Sequence, residues 1–123
     1  MRTTLTRLQG LRSKDEKIAV LTCYDASFAA MLEAQGVDVL LVGDSLGMVL
    51  QGHDTTLPVT LDEMVYHTAC VARGAKQVFI ISDMPFGTFQ ISPQETFAHA
   101  AKLMAAGAQM VKLEGGAAMV DTV

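Results

Sequence analysis

Three observations predict an α/β fold with a parallel sheet. Four short apolar runs recur along the chain, segments with helical periodicity separate them, and each run leads to a carboxylate. Val20-Leu21-Thr22-Cys23 leads to Asp25, and Val39-Leu40-Leu41-Val42 leads through Gly43 to Asp44. Val78-Phe79-Ile80-Ile81 leads through Ser82 to Asp83, and Met110-Val111-Lys112-Leu113 leads to Glu114. Alternation of strand and helix implies parallel strands joined by right-handed crossovers. The carboxylates of such a sheet gather at one edge. Like charges there repel unless a cation or proton sits among them.

The elements follow in order. Residues 1–16 are polar and predict a short leading helix around Leu5, Leu8 and Leu11. The first strand is expected over Ile18 to Cys23. Asp25 then caps a helix over Ala26 to Gln35, with Phe28, Met31 and Leu32 at helical spacing, and Gly36 ends it in a left-handed conformation. Val37 to Val42, nearly all apolar, reads as a strand buried on both faces. The stretch Gly43 to Val59 has no clean period and is long for a connection, which marks it as functional or disordered. Thr60-Leu61-Asp62-Glu63 is a capping box for a helix running to about Arg73 and stopping at Gly74. Val78 to Ile81 is the third strand, followed by a loop from Asp83 to Ile91. Ser92-Pro93-Gln94-Glu95 opens the next helix as a second capping box with proline at its first position, and Gly107 ends it. Met110 to Leu113 is the fourth strand, and Ala117 to Val123 reads as the start of one more helix.

Two closures fit this βαβαβαβ order: a small doubly wound sheet, or the first half of an eight-stranded (β/α)8 TIM barrel. A full barrel takes roughly 250 residues, about twice this length. The half-barrel is favoured because the chain stops within a fresh helix. It is also favoured because no glycine fingerprint follows the first strand, where a nucleotide-binding doubly wound fold carries one. On this reading residues 1–123 are the N-terminal half of a single barrel domain.

Composition narrows the class. Half of the 123 residues are hydrophobic and 18% are charged, a globular balance. The net charge of −4 comes from interleaved acids and bases. Without a basic stripe or aromatic-basic alternation, no nucleic-acid partner is expected. The apolar runs fall far short of the roughly 20 residues that span a bilayer, and the N-terminus has no signal-peptide stretch. Cys23 and Cys70 are too few for a disulfide framework or a four-ligand zinc site. A soluble cytoplasmic protein with reduced thiols is the expectation.

The chemistry concentrates at the strand ends. Asp44 and Asp83, just past neighbouring strands, suit Mg²⁺, which takes one or two carboxylates and fills its shell with water and substrate. Each could equally cap the loop that follows it. Lys112 and Glu114, two apart on a strand, share one face, either as an anion-binding lysine beside an acid that supports the metal or as a structural ion pair. Ser45, within Gly43-Asp44-Ser45-Leu46-Gly47, could bind a carboxylate through its hydroxyl and the loop amides. Asp25 reads as a helix cap more than a ligand. His67 and His99 fall in helices as surface or packing residues, and His53 is the single loop histidine with a functional reading. Tyr24 could line a pocket or pack, and the cysteines and methionines read as core filling.

Several long motifs resemble the ketopantoate hydroxymethyltransferase family. They are Leu41-Val42-Gly43-Asp44-Ser45-Leu46-Gly47-Met48, Gln51-Gly52-His53-Asp54-Thr55-Thr56-Leu57-Pro58-Val59-Thr60, Ser82-Asp83-Met84-Pro85-Phe86 and Met110-Val111-Lys112-Leu113-Glu114-Gly115-Gly116. The resemblance runs in order along essentially the whole chain. It implies a (β/α)8 barrel of the phosphoenolpyruvate-mutase-like kind that binds Mg²⁺ and forms homo-oligomers at full length. It also implies transfer of a hydroxymethyl group from 5,10-methylenetetrahydrofolate to 3-methyl-2-oxobutanoate (α-ketoisovalerate), giving ketopantoate for pantothenate and coenzyme A synthesis. By the same resemblance Asp44 and Asp83 ligate Mg²⁺, and Glu114 completes or supports the metal site. Ser45, Asp44 and Asp83 contact the keto acid, and Lys112 holds its carboxylate side. The family's glutamate general base has no counterpart before Val123, so the 123-residue chain by itself is expected to be inactive. A carbon–carbon lyase acting on a keto acid, or a non-catalytic half-barrel binding module, is the alternative.

Overall fold

The computed structural model describes residues 1–123. In chain order the elements are α1 (Leu5–Ser13), β1 (Val20–Thr22), α2 (Ala26–Ala34), β2 (Val39–Val42), α3 (Leu46–Val49), α4 (Leu61–Gly74), β3 (Phe79–Asp83), α5 (Pro93–Ala106) and β4 (Met110–Lys112). A 3₁₀ turn over Gly116–Met119 follows, where a helix from Ala117 to Val123 was expected. The four strands form one parallel sheet in the order β1-β2-β3-β4. Spatial order matches chain order without the reversal that a doubly wound sheet requires, so the strands form a barrel wall. No helix is long and apolar enough to cross a membrane.

The two faces of the sheet carry different layers. Leu40, Val42 and Ile80 point to the helices and pack with Ala29, Met64, Val71 and Leu103 in the main core. On the other face Val39 and Phe79 meet Leu8 of α1, with Ile81 and Met110 beside them. The leading helix therefore lies under the concave side, at the N-terminal end of the strands. Since side chains alternate along a strand, Phe79, Ile81 and Asp83 share that concave face. Ser82 points the other way, where its hydroxyl sits 2.9 Å from that of Thr68 on α4. β2 is buried as expected of a central strand, whereas Val20 and Leu21 of the edge strand β1 are 50% and 47% exposed.

Several boundaries move from their expected places. β1 and β2 start later, at Val20 and Val39, because the Ala19 carbonyl receives both the Asp38 and Val39 N–H groups and so begins the pairing. β3 runs on to Asp83, which is a strand residue and not a loop residue, while β4 ends at Lys112. The loop after β2 contains α3, a four-residue helix anchored by the buried Leu46 and too short to show a period. The cap at Thr60 is reciprocal with Glu63, but Ser92 only accepts from the Glu95 N–H. Gly36 ends the turn after α2 at φ +84°, as its left-handed reading required. α4 ends at Gly74, as expected, and the glycine has a second part: a Cβ there would collide with the Ala26 backbone, so glycine lets α4 approach the start of α2.

Candidate functional site

Asp83 ends β3 on the concave face, and the register sets it opposite Lys112 of β4. The Lys112 ammonium lies 2.7 Å from Asp83 Oδ1 and 3.1 Å from Glu114 Oε1. The shared face of Lys112 and Glu114 is thus real and is turned to Asp83. On the other side of Asp83, its Oδ2 accepts the backbone N–H of Asp44 at 3.3 Å. Asp44, Asp83, Lys112 and Glu114 line an open cleft of about 390 Å³, with Leu57, Phe86 and Phe89 on its apolar side.

The electrostatics are those of crowded acids beside one cation. Burial raises the Asp44 carboxyl above its ordinary range, and the charge of Asp83 raises it further against the pull of Lys112. For Lys112 burial alone would lower the ammonium. The bonds to Asp83 and Glu114 outweigh burial and hold it above its ordinary value, so it is cationic at neutral pH. Glu114 is 79% exposed at its side chain. No three His, Cys, Asp or Glu side chains come together as a metal-binding group, so Glu114 does not close a ready set with the two aspartates.

The donor set nevertheless suits a hard divalent cation. Asp44 and Asp83 supply two adjacent carboxylates whose mutual repulsion a cation would relieve, and Mg²⁺ needs no more than one or two from protein. Space is kept beside them by Gly43. A Cβ at that position would stand 2.9 Å from Ser45 Oγ and 3.4 Å from Asp83 Oδ2. The serine hydroxyl and the aspartate oxygen thus border one small gap that any larger residue would fill.

The other candidates separate cleanly. Asp25 Oδ1 accepts the Phe28 N–H at 2.8 Å and caps α2, as expected. His53 is exposed in its loop, where its N–H reaches the Gly47 carbonyl, and it does not join the cluster. Cys23 is buried, and burial pushes its thiol up. Ser45 follows Asp44, and its Oγ lies 2.8 Å from the Tyr24 hydroxyl.

Two residues read as surface or packing groups turn out to bond to loop carbonyls beyond their own helices. His67 Nδ1 sits 2.8 Å from the Tyr24 carbonyl, and His99 Nδ1 sits 2.7 Å from the Thr88 carbonyl. A carbonyl only accepts, so Nδ1 carries the proton in both. A signal existed in the sequence. Each histidine stands seven residues after its helix cap, Thr60 or Ser92, and each cap is followed by glutamate at the third helical position.

A family model described as ketopantoate hydroxymethyltransferase matches residues 2–123. A 3-methyl-2-oxobutanoate hydroxymethyltransferase of Nitrosospira multiformis is 67% identical over 123 residues, covering 100% of this chain and 47% of the relative. One from Nitrosomonas europaea is 68% identical over 122 residues, covering 99% and 45%. The chain spans about half the length of the curated relatives it matches. Among solved structures, a phosphoenolpyruvate phosphomutase from Streptomyces platensis subsp. rosaceus superposes with a TM-score of 0.69 at 17% identity, covering 86% of this chain and 36% of its own. A 2,3-dimethylmalate lyase, a member of the PEP mutase/isocitrate lyase superfamily, gives 0.67 at 18% identity, covering 96% and 40%. At these identities the likeness speaks for fold alone. The fold is that of the phosphoenolpyruvate-mutase-like TIM barrels, of which this chain carries four strands.

Proposed function

We propose a reaction for this protein from one premise: the chain belongs to the ketopantoate hydroxymethyltransferase family. The protein at its full encoded length transfers a hydroxymethyl group from 5,10-methylenetetrahydrofolate to 3-methyl-2-oxobutanoate, and residues 1–123 form the first half of its barrel. The observation that carries this reading is the 67% identity to a curated relative of that name along the entire chain. The cleft supports it, since acids and a lysine meet at the C-terminal ends of the strands, where barrel enzymes hold their chemistry.

Asp44 and Asp83 would hold Mg²⁺, with Glu114 supporting the site beside Lys112. Bound there, the ion would supply Lewis acidity to an anionic oxygen of the substrate. Lys112, kept cationic by Asp83 and Glu114, offers a fixed positive charge to the substrate carboxylate. Ser45 offers a hydroxyl to the same anion from the gap beside Gly43. The Phe86, Phe89 and Leu57 side of the cleft suits the branched alkyl end of the keto acid. The general base comes from beyond Val123, so residues 1–123 alone bind without turnover.

Proton exchange tests the reading. The full-length protein is incubated with 3-methyl-2-oxobutanoate and Mg²⁺ in D₂O without folate, and the C3 hydrogen is followed by NMR. Deuterium appears at C3 only when enzyme and metal are both present. A C3 signal that persists at its uncatalysed rate, together with cleavage of a longer keto acid, would replace this reaction by that of a carbon–carbon lyase.

A further inference from the structure

One polar group at the mouth of the sheet has no part in the reaction above. Tyr24 follows β1, and its hydroxyl is 2.8 Å from Ser45 Oγ in the loop after β2. Its backbone is pinned. The His67 imidazole on α4 donates to its carbonyl at 2.8 Å, and the next residue, Asp25, caps α2. The phenol is thus delivered to Ser45 by two helices and a strand end.

The direction of that bond matters. A hydroxyl has one proton to give and two lone pairs. If Ser45 donates to Tyr24, its oxygen has only lone pairs left to offer, and these repel an anion. If Tyr24 donates to Ser45, the serine proton is free to point at an anionic oxygen. A phenol, with pKa near 10, is a stronger donor than an alcohol, which favours the second arrangement. Ser45 Oγ and Asp83 Oδ2 both lie close to the space a Gly43 Cβ would take, so a proton freed from Tyr24 is available on the side of Ser45 where the acids begin.

We propose that Tyr24 is a positioning residue that orients the Ser45 hydroxyl as a donor to a planar 2-oxo carboxylate or dicarboxylate anion. This rests on the keto-acid reading of the cleft and adds to it the group that decides which way Ser45 points. Tyr24 touches no substrate and acts through Ser45 alone.

A double-mutant cycle tests it in the protein at its full encoded length. Wild type, Tyr24→Phe, Ser45→Ala and the double variant are titrated calorimetrically in Mg²⁺ with 3-methyl-2-oxobutanoate and, separately, with oxalate. Each single variant weakens binding by about 5- to 20-fold, and the double variant is within about twofold of Ser45→Ala. Unchanged affinity in Tyr24→Phe overturns the proposal, and so do losses that multiply in the double variant, since a merely structural tyrosine would act independently of Ser45. If Tyr24→Phe lowers Tm by more than about 5 °C, 3-fluorotyrosine at position 24 replaces it. That group keeps the ring and strengthens the donor, so tighter anion binding supports the proposal and unchanged binding overturns it. A wild-type protein that binds oxalate but not 3-methyl-2-oxobutanoate removes the proposed reaction and leaves the cycle to be read on oxalate. One that binds neither anion overturns both.

Discussion

Carboxylates meet the backbone at both ends of this sheet, with opposite results. At the N-terminal floor, Glu33 of α2 accepts the N–H groups of Lys76, Gln77 and Val78 just before β3. Burial works against its charge, but the three amides and nearby Arg2 hold the carboxyl below its ordinary range. At the C-terminal mouth, Asp44 is pushed up by burial and by Asp83. The floor acid is surrounded by donors and staples two elements together. The mouth acids face one another, and one lysine serves two of them. The two acids differ in what surrounds them: donors favour the charge of Glu33, whereas burial and a like charge oppose that of Asp44, the pattern that on the reading proposed above suits a bound cation.

The sharpest way to break this contrast is at Asp83. Asp83→Asn keeps the shape but takes away the charge that faces both Asp44 and Lys112. A fall of about 10²- to 10³-fold in kcat/KM is expected for the full-length protein in a ketopantoate-formation assay. Retained activity would mean that the mouth cluster is structural like the floor.

Glu33→Gln probes the floor. Because the native carboxyl titrates below its ordinary value of 4.5, the unfolded chain binds more protons in that window. The stabilisation is therefore present above pH 4.5 and is lost as pH falls through the lower native value. The variant loses about 1 kcal/mol at pH 7, a value discounted for the exposure of the site, and its deficit against wild type closes in acid. Denaturant titrations at pH 7 and pH 4 check this, with turnover at 25 °C unchanged. A deficit that is constant with pH would assign the effect to packing.

The smallest effect on stability has the opposite sign. The native Asp44 carboxyl titrates above its ordinary value of 3.8, so folding loses stability as pH rises through that window and carries the deficit to neutrality. Asp44→Asn removes it, and Tm in chelator at pH 7 rises by about 1–3 °C while activity is lost. A lower Tm would show that Asp44 is a satisfied cap and that the mouth stores no repulsion.

Much of the mouth was legible from the chain. A carboxylate just past an apolar run lands at the C-terminal edge of a parallel sheet, and residues two apart on a strand share a face. Asp44, Asp83, Lys112 and Glu114 follow from those two rules. The reading of Asp25 as a cap followed equally from its place before Ala26. Contacts between distant segments were not legible. Tyr24 with Ser45 and His67, and Glu33 with the strand it staples, depend on how far each helix leans over the sheet. α3 escaped because four residues are fewer than the turns needed to show a period. Gly74 ends α4 as expected, but its second part, admitting the Ala26 backbone, was not legible because it depends on a neighbour from a distant segment.

The order of strands and helices, the edge at which the acids collect and the family to which the chain belongs were all readable along the chain. Those properties reside in local periodicity, capping and motif, which need no knowledge of neighbours. It took the folded arrangement to reveal that Lys112 bridges Asp83 and Glu114, that Asp44 bears the repulsion, that Glu114 stays in the open and that Tyr24 meets Ser45. Charge and hydrogen-bond direction depend on distances of a few ångströms between segments far apart in the chain, and packing alone sets those distances.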